Sequence, residues 1–235
     1  MSDIAANLTS IRTRIAAACH RAGRDIGSVE LIAVSKTFPA EMIREAADAG
    51  QRVFGESKLQ EAEAKIDALP GCLHWHFIGG VQRNKVRKIL PRFDVIHAID
   101  SLRLASYTDE IARELGLFPK VFLQVNIGGE KSKGGFESGA VFDEIDALLA
   151  LERLEVMGLM CIPPPGPDAD ASRPWFQALR DLRDELRHRT GVPLPALSMG
   201  MSDDFEVAIE EGATHVRVGS SIFGKRAYRV DGELG

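Results

Sequence analysis

The sequence predicts an α/β protein: a single (β/α)8 TIM-type barrel with an extra N-terminal helix. Three observations carry that expectation. Eight short apolar runs alternate with amphipathic stretches, the pattern of parallel strands covered by helices. Runs such as Val121-Phe122-Leu123-Gln124-Val125 are apolar on both faces, as strands buried on both sides must be. Eight such units fit a chain of 235 residues with little left over, since barrels of this kind take ~250 residues. No Gly/Ser-rich or charged linker divides the chain, so residues 1–235 read as one domain. A doubly wound open sheet is the rival architecture.

The elements follow in order. Ile4, Leu8, Ile11 and Ile15 recur at helical spacing and Gly23 stops the pattern, so a first helix is expected over residues 3–20. Strands are expected at 29–34, 53–54, 73–78, 95–98, 121–125, 154–160, 196–197 and 215–218. Helices are expected between them at 39–49, 59–69, 81–90, 101–115, 136–150, 173–190 and 203–211. Several open on Pro or Ser and close on Gly, as at Pro39 and Gly50 or Ser101 and Gly116. Two loose segments, 128–135 with its lysines and 163–167 with its prolines, directly follow strands, where the loops of a barrel ring the active face.

Composition narrows the class. The formal net charge of −5 and pI near 5.7 give no basic field for nucleic acid or an acidic membrane. Cys19, Cys72 and Cys161 are far apart with no CxxC pair, so they read as reduced thiols and not as a disulfide frame or zinc knuckle. The N-terminus lacks a secretory layout and no apolar run approaches ~20 residues. A cytoplasmic monomer is expected.

Chemistry concentrates at strand ends. Lys36 follows the run Val29-Glu30-Leu31-Ile32-Ala33-Val34-Ser35, at the carboxyl mouth of the first strand. Alone it reads as a solvated lysine in a loop. The last two strands, however, end in Ser198-Met199-Gly200-Met201-Ser202 and Gly219-Ser220-Ser221, whose backbone N–H groups and hydroxyls suit a phosphate dianion. Either loop by itself is ordinary turn and capping sequence. First and last strands are neighbours in a closed barrel, so an amine and an anion cup fall together. An amine that traps aldehydes beside a phosphate cup points to pyridoxal 5′-phosphate (PLP). Arg217 alternates with Val216 and Val218; it is either a buried ion-pair partner or a permanent donor to the pyridine nitrogen, which would hold that nitrogen unprotonated and weaken the ring as an electron sink.

The chain resembles the pyridoxal phosphate homeostasis proteins, relatives of the alanine racemase barrel. The resemblance runs nearly end to end, through Ala33-Val34-Ser35-Lys36-Thr37, Phe54-Gly55-Glu56, Gln60-Glu61-Ala62, Trp75-His76-Phe77-Ile78-Gly79, Gln82 with Asn84-Lys85, Gln124-Val125-Asn126-Ile127, Gly158-Leu159-Met160, Leu197-Ser198-Met199-Gly200-Met201-Ser202 and Arg217-Val218-Gly219. It implies a Schiff base on Lys36, phosphate contacts from Ser202, Gly219 and Ser220 with Ser198 nearby, and Arg217 at the pyridine nitrogen. Ser57 stands where the family has asparagine, and Gly80-Val81-Gln82-Arg83-Asn84-Lys85 departs from the usual loop after Ile-Gly. His74 and His76 share a strand face, a spacing two metal ligands would also show, but no third ligand is evident and no metal is expected.

Three function classes compete. Racemisation needs a proton carrier on each face of the substrate; in alanine racemases a tyrosine from a second domain serves the face opposite the lysine. Tyr107 and Tyr228 are the only tyrosines, one expected on an outer helix and one in a tail. The favoured expectation is a non-catalytic PLP-binding protein of intracellular PLP homeostasis, with amino acids and PLP-dependent apoenzymes as further partners. The alternatives are a slow PLP-dependent amino-acid racemase using water or His76 as second base, and a barrel lyase acting through Lys36.

Overall fold

The computed structural model describes residues 3–130 and 134–224. Its centre is a closed barrel in which each strand pairs with the next in sequence and the last with the first: β1 (Glu30–Val34), β2 (Val53–Glu56), β3 (His74–Phe77), β4 (Val95–Ile99), β5 (Lys120–Gln124), β6 (Glu155–Met160), β7 (Ala196–Ser198) and β8 (His215–Val218). All pairings are parallel, and closure is made by Leu31 opposite Val216 and Ala33 opposite Val218. Around it run α1 (Ile4–Arg21), α2 (Ala40–Asp48), α3 (Leu59–Ala68), α4 (Val86–Ile89), α5 (Leu102–Leu115), α6 (Ser138–Leu149), α7 (Arg173–Thr190), α8 (Phe205–Glu210) and α9 (Ser220–Phe223). The (β/α)8 architecture with its extra N-terminal helix is as the sequence predicts.

Strand alternation sorts the side chains into two layers. Val216 and Val218 of β8, Trp75 and Phe77 of β3 and Val121 and Leu123 of β5 belong to the large apolar cluster shared with the helices. The residues between them face the lumen, where Val95, Phe122, Met160 and Ala196 form a separate small cluster. α1 buries Ile4, Leu8, Ile11 and Ile15, the stripe that predicts it, and Asp3 caps it by accepting from the Ala6 N–H at 2.9 Å. Ser101 caps α5 in the same way and Gly116 closes it.

Boundaries differ from expectation by a residue or two at most elements, but one segment differs in kind. The helix expected over 81–90 is a 3-10 turn at Arg83–Lys85 followed by the single turn α4. Gly79 explains the delay: a Cβ there would lie 2.4 Å from the Ser57 carbonyl oxygen, so residues after β3 run tight against the β2 loop before any helix begins. A second close approach holds β6 to β7, where a Cβ on Gly158 (φ 155°) would lie 1.8 Å from the Ala196 oxygen. The turn of helix α9, directly after β8, is not in the sequence expectation.

Candidate functional site

β1, β7 and β8 deliver their carboxyl ends to one cavity of about 520 Å3, a size suited to a small ligand. Lys36, Ser202, Gly219, Ser220 and Arg217 line it, with Val34, Ile78, Ile162 and Met201 as apolar walls and Asp203 exposed on the rim. Five of the six residues expected at the site therefore meet. Their placement follows from the strands: β1 ends at Val34, Ser35 and Lys36 begin a turn, and Gly219 sits at the start of α9. The loops after strands seven and eight with a short extra helix form the usual phosphate position of such barrels. Here they are laced together, since Ser202 Oγ accepts from the Gly219 N–H at 3.1 Å and the Arg217 N–H donates to the Gly200 oxygen at 3.0 Å.

Ser198 is the sixth, and it does not line the cavity. Its hydroxyl is fully buried in the lumen, where it accepts from Arg217 Nη1 at 2.6 Å and lies 2.8 Å from His97 Nδ1. Arg217 Nη2 donates to the Cys161 oxygen at 2.9 Å. Both acceptors are neutral, and among the described residues no carboxylate lies within ion-pair distance of Arg217. The buried ion pair offered as its alternative reading is thus not what the structure contains. Burial pushes the guanidinium below its usual value, opposed by the more distant Asp204 and by Cys161.

The turn that carries Lys36 rests on a buried polar network outside the barrel wall. Lys65 of α3 donates to the Ser35 oxygen at 2.8 Å, to Glu56 Oε1 at 2.7 Å and to Glu61 Oε1 at 2.6 Å. Ser35 Oγ also donates to Glu56 Oε1 at 2.7 Å, while Glu56 Oε2 is buried without a hydrogen-bond partner. Burial pushes the Glu56 carboxyl up against the pull of Lys65 and Ser35. For Glu61 burial acts in the same direction, but Lys65 and the Thr37 N–H outweigh it and hold the carboxyl below its usual range. Thr37 itself has φ 72°, a left-handed conformation that is rare for a β-branched residue. Glu61, accepting from the Thr37 N–H, locks that conformation beside Lys36.

The remaining candidates separate. His74 is exposed near Asp94, whereas His76 is buried and bonded through Nδ1 to His97 Nε2 at 3.0 Å, so the two do not make a joint ligand set. His76 does not line the cavity. Tyr107 packs beneath Arg83 at 4.6 Å on the outer layer, and Tyr228 and the lysines at 131 and 133 lie outside the described residues. Glu56, Glu61, Lys65 and His97 carry no role in the sequence reading. The one available signal was Lys65, which shares the apolar face of its helix with Leu59 and Ala62.

Comparison with known proteins places the chain in a family. Residues 6–227 match the family described as "Alanine racemase, N-terminal domain". The chain is 45% identical to the "Pyridoxal phosphate homeostasis protein" of Aquifex aeolicus, over 94% of this chain and 97% of that one. It is 46% identical to the protein of that name from Pseudomonas aeruginosa, over 97% and 98%. PipY of Synechococcus elongatus, solved with PLP bound, superposes with a TM-score of 0.83 at 41% identity, covering 94% of this chain and all of that one. The chain belongs to the alanine racemase N-terminal-domain family and, within it, to the pyridoxal phosphate homeostasis proteins.

Proposed function

We propose that this protein binds PLP as a Schiff base on Lys36 and holds it for intracellular PLP homeostasis without appreciable turnover of amino acids. The observation that carries the reading is the convergence of Lys36, the Ser202/Gly219/Ser220 loops and Arg217 on one cavity. The donor set fits the cofactor group by group. Lys36 lines a space with apolar walls for a ring, the hydroxyls of Ser202 and Ser220 at the start of α9 sit where a phosphate would be held, and a guanidinium bonded only to neutral acceptors closes the floor. PLP supplies an electrophilic aldehyde carbon and an electron-withdrawing ring. Lys36 Nζ is the group to attack that carbon, and Arg217, which donates and cannot accept, would keep the ring nitrogen unprotonated.

Support for carriage over turnover comes from the second-base candidates. His76 is buried behind Arg217 and Ser198, and Tyr107 lies in the outer layer. The relatives' names describe homeostasis, and PipY is described with PLP bound. Among the described residues no helix is long and apolar enough to cross a membrane, and a monomer in the cytoplasm is the form we favour. Amino acids and PLP-dependent apoenzymes are the partners we propose beyond PLP. Borohydride reduction followed by peptide mapping tests the attachment: the pyridoxyl group should sit on Lys36 and be absent from Lys36→Ala. Label on Lys58 or Lys85 instead would remove the site assignment.

A further inference from the structure

Below the cavity, polar side chains descend the barrel axis in contact with one another. Arg217 Nη1 donates to Ser198 Oγ at 2.6 Å, and His97 Nδ1 lies 2.8 Å from that oxygen. His97 Nε2 lies 3.0 Å from His76 Nδ1. His76 Nε2 faces Glu30 Oε2 at 3.8 Å, at the amino-terminal mouth, where Glu30 is 41% exposed and also lies 3.4 Å from His215 Nε2. Phe122 stacks on His97 with ring centroids 4.6 Å apart, and Val95, Met160 and Ala196 complete an apolar collar. Five polar groups on β1, β3, β4, β7 and β8 thus connect the open bottom of the barrel to the floor of the cavity.

The donor capacity of each group decides which way the protons point. Arginine only donates, so Ser198 Oγ must accept from it. With hydrogen on Nε2 of both imidazoles, His97 donates to His76 Nδ1, the Ser198 hydroxyl donates to His97 Nδ1, and the His76 Nε2–H dipole points toward the Glu30 carboxylate 3.8 Å away. Each hydrogen bond between Arg217 and His76 then has one donor and one acceptor. In the opposite arrangement the bare Nε2 of His76 faces a carboxylate, lone pair against lone pair. Ser198 Oγ would also accept twice, leaving its own proton unused in a fully buried site, which is costly.

The pattern requires neutral rings. Burial, then His215, His74 and Lys120, hold His76 down to about 3; burial and Arg217 hold His215 at about 4; burial, His76, His215 and Arg217 keep His97 well below its usual value. Burial pushes the Glu30 carboxyl up, with His74 and Lys120 opposing and Asp94 adding to the rise.

We propose that His76 and His97 are positioning residues for the cofactor site: fixed as Nε2–H tautomers, they form a one-way hydrogen-bond relay from Ser198 through His97 to His76, oriented by the Glu30 carboxylate below, that aims the Arg217 guanidinium at the cavity. This rests on the reading of Arg217 as the donor to the cofactor ring. The relay explains why Ser198 belongs to the lumen and not to the phosphate cup. With its proton committed to His97, its lone pairs are available only to Arg217.

The test uses the full chain in two arms. In the first, long-range 1H–15N correlation on the PLP-free protein, assigned with His76→Gln and His97→Gln, reads tautomer and charge from about pH 5 to about pH 8. Both rings should be neutral with hydrogen on Nε2 throughout. Hydrogen on Nδ1 of either ring, or protonation of either ring in that window, would overturn the relay whether or not PLP binds. In the second, PLP affinity is compared for Ser198→Ala and Ser198→Thr. Loss of the hydroxyl should weaken binding roughly tenfold and mix the His97 tautomers, and threonine should restore both. Wild-type affinity and an unmixed His97 tautomer in Ser198→Ala would also overturn it. A wild type with the expected tautomers that binds no PLP would instead sink the proposed function and leave the relay standing.

Discussion

Lys65→Met is the most informative perturbation of the turn that carries Lys36. Methionine has similar reach and fills the space under β1 and β2, but the bonds to the Ser35 oxygen, Glu56 and Glu61 are lost. Glu56 is fully buried and would keep only Ser35 Oγ. Removing one partner of a buried pair costs about 3–5 kcal/mol, because the other charge stays stranded. The pH dependence separates this cause from lost packing. Burial raises the Glu56 carboxyl even with Lys65 present, and its removal raises it further. The folded variant then retains a proton that the unfolded chain releases above about pH 4.3. Folded protein holding more protons than unfolded means that stability falls as pH rises from there through the folded value, and then levels. Urea unfolding should therefore find the variant nearest wild type near about pH 4–5 and farthest from it near about pH 8. Adding Glu56→Met should return much of the loss, since no charge remains buried alone. A loss under about 1 kcal/mol at neutral pH, or one that is equal at every pH, would refute the reasoning.

Further outcomes follow from the same contacts. Ser202→Ala with Ser220→Ala should weaken PLP by about 1.5–3 kcal/mol per lost bond, measured by titration, and pyridoxal without phosphate should bind wild type poorly; equal affinity for the two vitamers would remove the phosphate site. Gly158→Ala should destabilise by about 3 kcal/mol or more in urea, because its Cβ would meet the Ala196 oxygen; an unchanged midpoint would contradict that packing. The neutral rings of His76 and His215 predict stability lost as pH falls from about 6.5 toward about 4, roughly 3 kcal/mol per ring, since the unfolded chain takes up protons there and the folded one does not; replacing either ring with Phe should flatten that slope. α-Proton exchange of L- and D-amino acids in deuterated water should run no faster with the protein than with free PLP; Lys36-dependent exchange at ~1–10³ s⁻¹ would favour a racemase.

The barrel was legible because its signal is local. Strands such as β5 are apolar on both faces, and Pro, Ser and Gly mark the helix ends within a residue or two. That Lys36, Ser202, Gly219 and Ser220 would meet at one cavity was legible for the same reason: each sits where a strand runs out, and strand order in a closed barrel brings those ends together. What failed was the direction of side chains whose partners are far away in sequence. Ser198 looks like a cup residue until His97, 101 positions earlier, is seen to hold its hydroxyl. The helix expected over 81–90 failed because a backbone contact between Gly79 and Ser57 delays it, and apolar periodicity carries no trace of such a contact. Glu56 and Glu61 lie in quoted motifs, yet only the fold reveals that Lys65 joins them under Ser35.

The charges around the cavity argue for what it holds. A buried guanidinium without a carboxylate partner is expensive, and proteins ordinarily neutralise it. Here the nearest polar groups are a hydroxyl, a carbonyl and an imidazole kept neutral by burial and by the guanidinium itself. The uncompensated positive charge therefore lies at the floor of the cavity, where an anionic ligand with an acceptor atom on its ring would relieve it. PLP offers both features. Compensation by the ligand would make the empty site the strained state, so binding should stabilise the fold beyond the contribution of the bond to Lys36. On the proposed reading, a bond from Arg217 that secured the ring nitrogen without protonating it would weaken the ring as an electron sink, which would suit retention of the cofactor more than carbanion chemistry.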